Sequence, residues 1–247
     1  MQALQETHNV TVTVGHSARL LQGIRMMKKA LDDGEIGKLS FIEANFSNER
    51  ALELTPDTWR WYRDRAPGGP LSQLAIHMFD IVHYLAGDVE NVSSIASKLS
   101  PVGAEVDDQS MSTIRFKNGV LGYVGSCWTS PGIFSTRVFA QKGLMHFELD
   151  FSTWDQPDNL HKSSKVYIQR GKDGYGLREE LEMPKGNMFR EELEIFADAC
   201  RDGKSNQLTA HDGNIAVAMV YAALQSVENN TKLVSVDEVL RNAKAKL

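Results

Sequence analysis

The sequence predicts an α+β fold: a mostly antiparallel sheet covered on one face by helices. Three observations predict it. From about residue 90 to residue 150 one β-rich segment follows another, joined by turns too short to hold a crossover helix. Helical periodicity then fills the last quarter of the chain. Ahead of the sheet stands one strand–helix pair, which reads as a remnant of an α/β unit.

The elements follow in order. Residues 2–8 are compatible with a helix, and residues 10–16 (VTVTVGH) form a short β-branched strand ending in glycine. A helix runs over Leu20–Asp33 and stops at Gly34. Residues 39–47 (LSFIEANFS) alternate as a strand, and a polar loop rich in tryptophan and arginine follows, from Trp59 to Arg63. Strands are expected at 92–99, 108–116, 119–128, 135–141 and 144–150. Lys117-Asn118-Gly119 is a hairpin turn between two of them, and Gln141-Lys142-Gly143 is another tight connection. Residues 152–176 read as a polar surface excursion with one strand at Lys165–Gln169. Asn187 caps a helix over Met188–Arg201 that Gly203 stops. Residues 211–229 form an alanine-rich helix, and Ser235 opens a third through Asp237 and Glu238.

The chain has 247 residues, 42% hydrophobic and 24% charged, enough apolar material for a sizeable core in one large or two small domains. A formal net charge of −5 gives no electrostatic support for nucleic-acid binding. No apolar run is long enough to span a membrane, and the start MQALQETHNV does not read as a signal peptide. Cytoplasmic is the default compartment. Cys127 and Cys200, the two cysteines, read as small core residues in a reducing compartment. No CxxC or HExxH spacing is present, so no metal site is expected.

Residues 68–87, GGPLSQLAIHMFDIVHYLAG, carry the most chemistry. At about 100° per residue, Leu74, Met78, Ile81 and Leu85 share one helix face, and Gln73, His77, Asp80 and Tyr84 share the other. An amide, an imidazole, a carboxylate and a phenol in a row can hold a polar ligand and move a proton. A polar helix face is more often plain surface. This one lacks Lys, Glu and Arg, and the Gly68-Gly69-Pro70 turn before it permits a close backbone approach.

These residues together resemble the glucose–fructose oxidoreductase/inositol dehydrogenase (Gfo/Idh/MocA) family of NAD(P)-dependent sugar and polyol oxidoreductases. The resemblance rests on VTVTVGHSAR with DDGEIGKLSFIEANF, on the glycine–helix motif at 68–87, on FAQKGLMHFE, and on the closing stretch from Phe196 to Val236. It implies that His77 is the general acid/base at the alcohol or carbonyl oxygen of a sugar. The family's aspartate four residues before the histidine is here Gln73, which weakens His77 as a base, and Asp80 stands in for part of its effect. Arg19, Trp59, Arg60 and Tyr84 are expected on the substrate side, and His16 with Arg19 on the cofactor side. The family's GxGxxG turn and Glu-Lys-Pro segment are missing from this sequence. Residues 1–17 are therefore expected to be the remnant of a Rossmann-type dinucleotide-binding domain, and 18–247 a substrate-binding and oligomerisation domain. The implied cofactor is NAD or NADP, or none held by this chain alone. The implied partners are a small sugar or polyol and further copies of the chain, associated through the sheet face. Two other readings stay open: a non-catalytic binding or assembly module derived from such an enzyme, and a cofactor-free lyase or epimerase acting on a keto-sugar through His77.

Overall fold

A computed structural model describes residues 7–8, 10–171, 176–202 and 207–244. Its frame is a nine-stranded sheet: β1 (Leu39–Ser47), β2 (Val89–Ser97), β3 (Gln109–Phe116), β4 (Leu121–Cys127), β5 (Ile133–Ala140), β6 (Gly143–Glu148), β7 (Lys165–Arg170), β8 (Arg178–Leu181) and β9 (Val234–Ser235). The strand order is β8-β7-β6-β5-β1-β4-β3-β2-β9. β1 and β4 run parallel, with Ala44 opposite Val124, and every other neighbouring pair is antiparallel. The β3–β4 hairpin closes at Gly119, whose φ of 88° suits the Asn-Gly pair, and Phe116 N–H donates to Val120 O across it.

Among the described residues the longer helices are α1 (Gln22–Asp32), α2 (Ile76–Ala86), α3 (Met188–Asp202), α4 (Ala210–Glu228) and α5 (Val236–Lys244), beside several single-turn helices. Strand alternation sends Ile42, Ala44, Val124, Phe134 and Val138 to one side of the sheet. There they meet Met78, Phe79, Ile81 and Val82 of α2, Ile24 and Met27 of α1 and Met219 of α4 in one continuous core. The opposite sheet face carries Ile95, Met111, Leu121 and Ile133, all more than two-fifths exposed. Among the described residues no helix is long and apolar enough to cross a membrane.

Several expectations need correction. Residues 10–16 do not form a strand; Thr13 makes one isolated bridge to Thr209, and Val14 N–H donates to Leu208 O. Their β-branched pattern finds no neighbouring strand to extend a ladder. The expected helix over 2–8 lies mostly outside the described residues, as does the stop at Gly203. β8 and β9 were not legible, since Arg-Glu-Glu-Leu has little strand character until β7 offers its edge. Neither cysteine is a core residue: Cys127 is free and half-buried, and Cys200 is free and exposed on α3. Helix α2 is not two-faced. Phe79, Asp80 and Val82 are as buried as Met78 and Ile81, because α2 is packed between sheet and helices.

Candidate functional site

The turn before α2 is built on two glycines. Gly68 and Gly69 have φ of 68° and 52°, a region that side chains rarely adopt, and a Cβ at Gly69 would come within 2.0 Å of Asp107 O. Pro70 then leads into one π-helical turn, Leu71–Ala75, that runs directly into α2. Such a turn inserts an extra residue into the helical ladder, a feature common at functional sites. Gln73 sits within it. The even 100° spacing assumed from sequence therefore fails between Gln73 and His77.

Both side chains reach one cleft of about 670 Å³. Five aromatic rings line it, from Phe46, Phe134, Phe151, Trp154 and Phe189. Phe46 and Phe151 are stacked, with centroids 5.5 Å apart and planes 16° off parallel. Phe189 meets Trp154 edge-on at 5.8 Å. Polar groups also line it: Ser17, Asn48, Glu49, Arg50 and Glu53. Gln73 Oε1 accepts a hydrogen bond from Arg60 Nε at 3.3 Å, and the Arg60 guanidinium lies 4.4 Å over the Trp59 ring. A largely apolar lining with a few polar groups is the usual make-up of a small-molecule site.

His77 is neutral at pH 7. Burial and then the nearby His16 push its pKa down to about 4, and the opposing pull of Asp80 is smaller. The two imidazole centroids stand 6.0 Å apart, edge to face. His77 can accept a proton from a hydroxyl, but it is a weak base.

Asp80 has other partners. It is 1% exposed, and Arg19 grips it through two hydrogen bonds, Nε to Oδ2 and Nη2 to Oδ1, both 2.7 Å. His16 Nδ1 lies 2.9 Å from Asp80 Oδ1, a close polar contact without hydrogen-bond alignment. Arg19 also reaches Asp212 at 3.3 Å and covers the Tyr84 ring at 5.1 Å. Burial works against the Arg19 charge, but the hydrogen bonds and charge of Asp80 outweigh it and raise its pKa. The buried pair Arg19 and Asp80, with the half-buried Tyr84, thus forms a cluster beside the cleft rather than part of its lining, and His16 lies between this cluster and His77. Trp59 is 42% exposed beneath Arg60.

The aromatic wall and the Asn48–Glu53 segment escaped sequence reasoning. They come from β1, β5, two short connections and the start of α3, and no local spacing links them.

Dinucleotide phosphates ordinarily need a glycine-rich turn between a strand and a helix. The described residues build no such cradle. β1, with a parallel neighbour, leads through Asn48 and Glu49 into a single 3-10 turn, Arg50–Glu53, that contains no glycine, and Arg19 is already engaged by Asp80 and Asp212.

Comparison with known proteins supports a family assignment. Residues 24–146 match the model of the GFO/IDH/MocA C-terminal domain. Myo-inositol 2-dehydrogenase of Thermotoga maritima is 26% identical over 96% of this chain and 68% of its own length. A solved structure from Desulfitobacterium hafniense, provisionally described as an NADPH-dependent oxidoreductase, superposes with a TM-score of 0.90 and 33% identity, covering 97% of this chain and 68% of that one. Levoglucosan dehydrogenase in complex with NADH shares the fold, with a TM-score of 0.77 and 20% identity over 92% of this chain and 66% of that one. The chain therefore spans about two thirds of the length of these relatives. With that likeness in sequence and in fold, the chain belongs to the GFO/IDH/MocA family of oxidoreductases.

Proposed function

We propose that this chain is the substrate-binding part of an NAD(P)-dependent sugar or polyol oxidoreductase. The observation that carries the reading is the placement of His77 and Gln73 in a 670 Å³ cleft walled by aromatic rings. Aromatic faces suit the C–H faces of a sugar ring, while amide and imidazole suit its hydroxyls. When bound, the nicotinamide would take up or give the hydride. We assign its presentation to a nucleotide-binding domain distinct from the described residues, which offer no phosphate cradle. This chain's own part is to bind the sugar, exclude water with the Phe46–Phe151 wall, and accept the hydroxyl proton at His77.

Gln73 and the low pKa of His77 favour a second reading, a binding module derived from such an enzyme. The lyase or epimerase reading loses support, because Asp80 is held by Arg19 and is not free to act as the paired acid.

The test is a titration of the purified chain with D-glucose and myo-inositol, following the His77 ring resonances, beside calorimetry with NADH and NADPH. The reading expects the sugars to shift His77 and a His77→Asn variant to bind them about ten-fold more weakly, the worth of one or two buried hydrogen bonds. Micromolar binding of either dinucleotide would overturn the division of labour. Sugars that leave His77 unmoved would overturn the site.

We further propose that the chain forms a homo-oligomer through the uncovered sheet face bearing Ile95, Met111, Leu121 and Ile133.

A further inference from the structure

Two arginines, Arg50 and Arg60, stand near Gln73 without an ion-pair partner among the described residues. Arg50 lines the cleft together with Gln73 and His77. Arg60 reaches Gln73 Oε1 with its Nε and rests on the Trp59 ring. Among the described residues no carboxylate lies within ion-pair distance of either guanidinium. Glu49 and Glu53 line the same cleft, but neither turns to Arg50 or Arg60.

The arrangement is electrostatically incomplete. The Arg60 pKa is lowered, first by its own burial and then by the charge of Arg50, with no acid opposing them. Gln73 is central here. Its amide oxygen accepts an Arg60 N–H but brings no negative charge, whereas a carboxylate at that position would neutralise the guanidinium. Gln73 links the two, lining the cleft with Arg50 and bonded to Arg60, and two guanidinium groups that lack an ion-pair partner favour an anion that can reach both. A planar guanidinium matches the paired oxygens of a carboxylate or phosphate, and its stacking on Trp59 limits the freedom lost when the anion binds.

We propose that Arg50 and Arg60 form an anion subsite, and that the substrate is a sugar or polyol bearing a carboxylate or phosphate rather than a neutral one. The proposal rests on the reading of the cleft as a sugar or polyol site. The anionic group anchors against the two arginines, and the ring lies along the aromatic wall toward His77.

Calorimetric titration of the purified chain with D-glucose, D-glucuronate and D-glucose 6-phosphate tests it, with the His77 resonances followed in parallel. At least one anionic sugar should bind about ten-fold more tightly than D-glucose, and the gain should shrink as salt is raised. Which anion gains distinguishes a sugar acid from a sugar phosphate. Arg50→Gln, at an exposed position where folding is not at stake, should abolish the gain, as should Arg60→Gln. Arg241→Gln, an exposed arginine on α5, should keep it and so control for net charge. If D-glucose shifts His77 but neither anion binds more tightly, the anion subsite falls and the sugar cleft stands. A gain that survives both arginine variants also overturns the subsite. If no sugar, neutral or charged, moves His77, both readings fall.

Discussion

His77 owes its neutrality to its surroundings, and that has a consequence for stability as well as for chemistry. In the unfolded chain its pKa returns to about 6.5; in the fold it is about 4. Between these values the unfolded chain binds more protons, so stability rises with pH there. The contribution is complete above about pH 6.5 and is lost as pH falls toward 4. Its full size is about 3 kcal/mol, from roughly 1.4 kcal/mol per pKa unit. His83 adds to the same trend, since burial and then Arg19 lower its pKa as well. Urea unfolding between pH 7 and pH 4.5 should show this slope, and His77→Gln should flatten it in part. An unchanged slope would mean that His77 is not held neutral. The same residue shows how far sequence reaches. His77 was legible as the acid/base candidate, and Asp80, three residues on, looked like its helper; Asp80 acts on His77 through charge, while its hydrogen bonds go to Arg19. Periodicity places two side chains on a helix face. It does not say which of several buried charges each will meet.

The segment from Gly68 to Gly87 acts as one element, and its geometry is fixed at its start. Gly69 combines a positive φ with a backbone oxygen where a Cβ would stand, and the π-helical turn behind it sets the offset of Gln73 against His77. Gly69→Ala should therefore cost more than the about 1 kcal/mol of an ordinary glycine replacement, on the order of 3 kcal/mol, because strain and clash add. It should also change the His77 environment. Thermal unfolding together with the His77 chemical shift checks both, and a variant as stable as the parent would show that the turn yields freely. Gly87, with φ of 90°, caps the C-terminus of α2. The glycines were readable because few other residues adopt such backbone angles. The π-helical turn was not, since nothing in Leu71–Ala75 distinguishes it from ordinary helix.

At the scale of the whole molecule, the described helices cover one face of the sheet only. Nine strands at about 4.8 Å spacing and about 20 Å of strand length present roughly 760 Å² on the other face. That is close to the roughly 800 Å² per partner of a standard interface. Ile95 and Met111 pair directly across β2 and β3 on this face, and Leu121 lies opposite Phe41 of β1. If copies associate here, Met111→Lys should give a folded monomer, because burying an unpaired ammonium costs more than the contact returns. Light scattering on the parent and the variant decides it; a parent that is monomeric, or a variant that keeps the parent's mass, would exclude this face.

The sequence by itself determined the fold class, most of the elements, the hairpin at Gly119 and the glycine turn before α2. Each of these depends on local rules: side-chain periodicity, β-branching, and the angles that only glycine adopts without strain. The tertiary structure decided the rest. It ran β1 parallel to β4, gave Asp80 to Arg19, brought the aromatic wall together from four parts of the chain, and left Arg50 and Arg60 without an ion-pair partner among the described residues. These outcomes depend on residues far apart in sequence that become neighbours only when strands choose partners and buried charges choose counterions, and no local pattern encodes that choice.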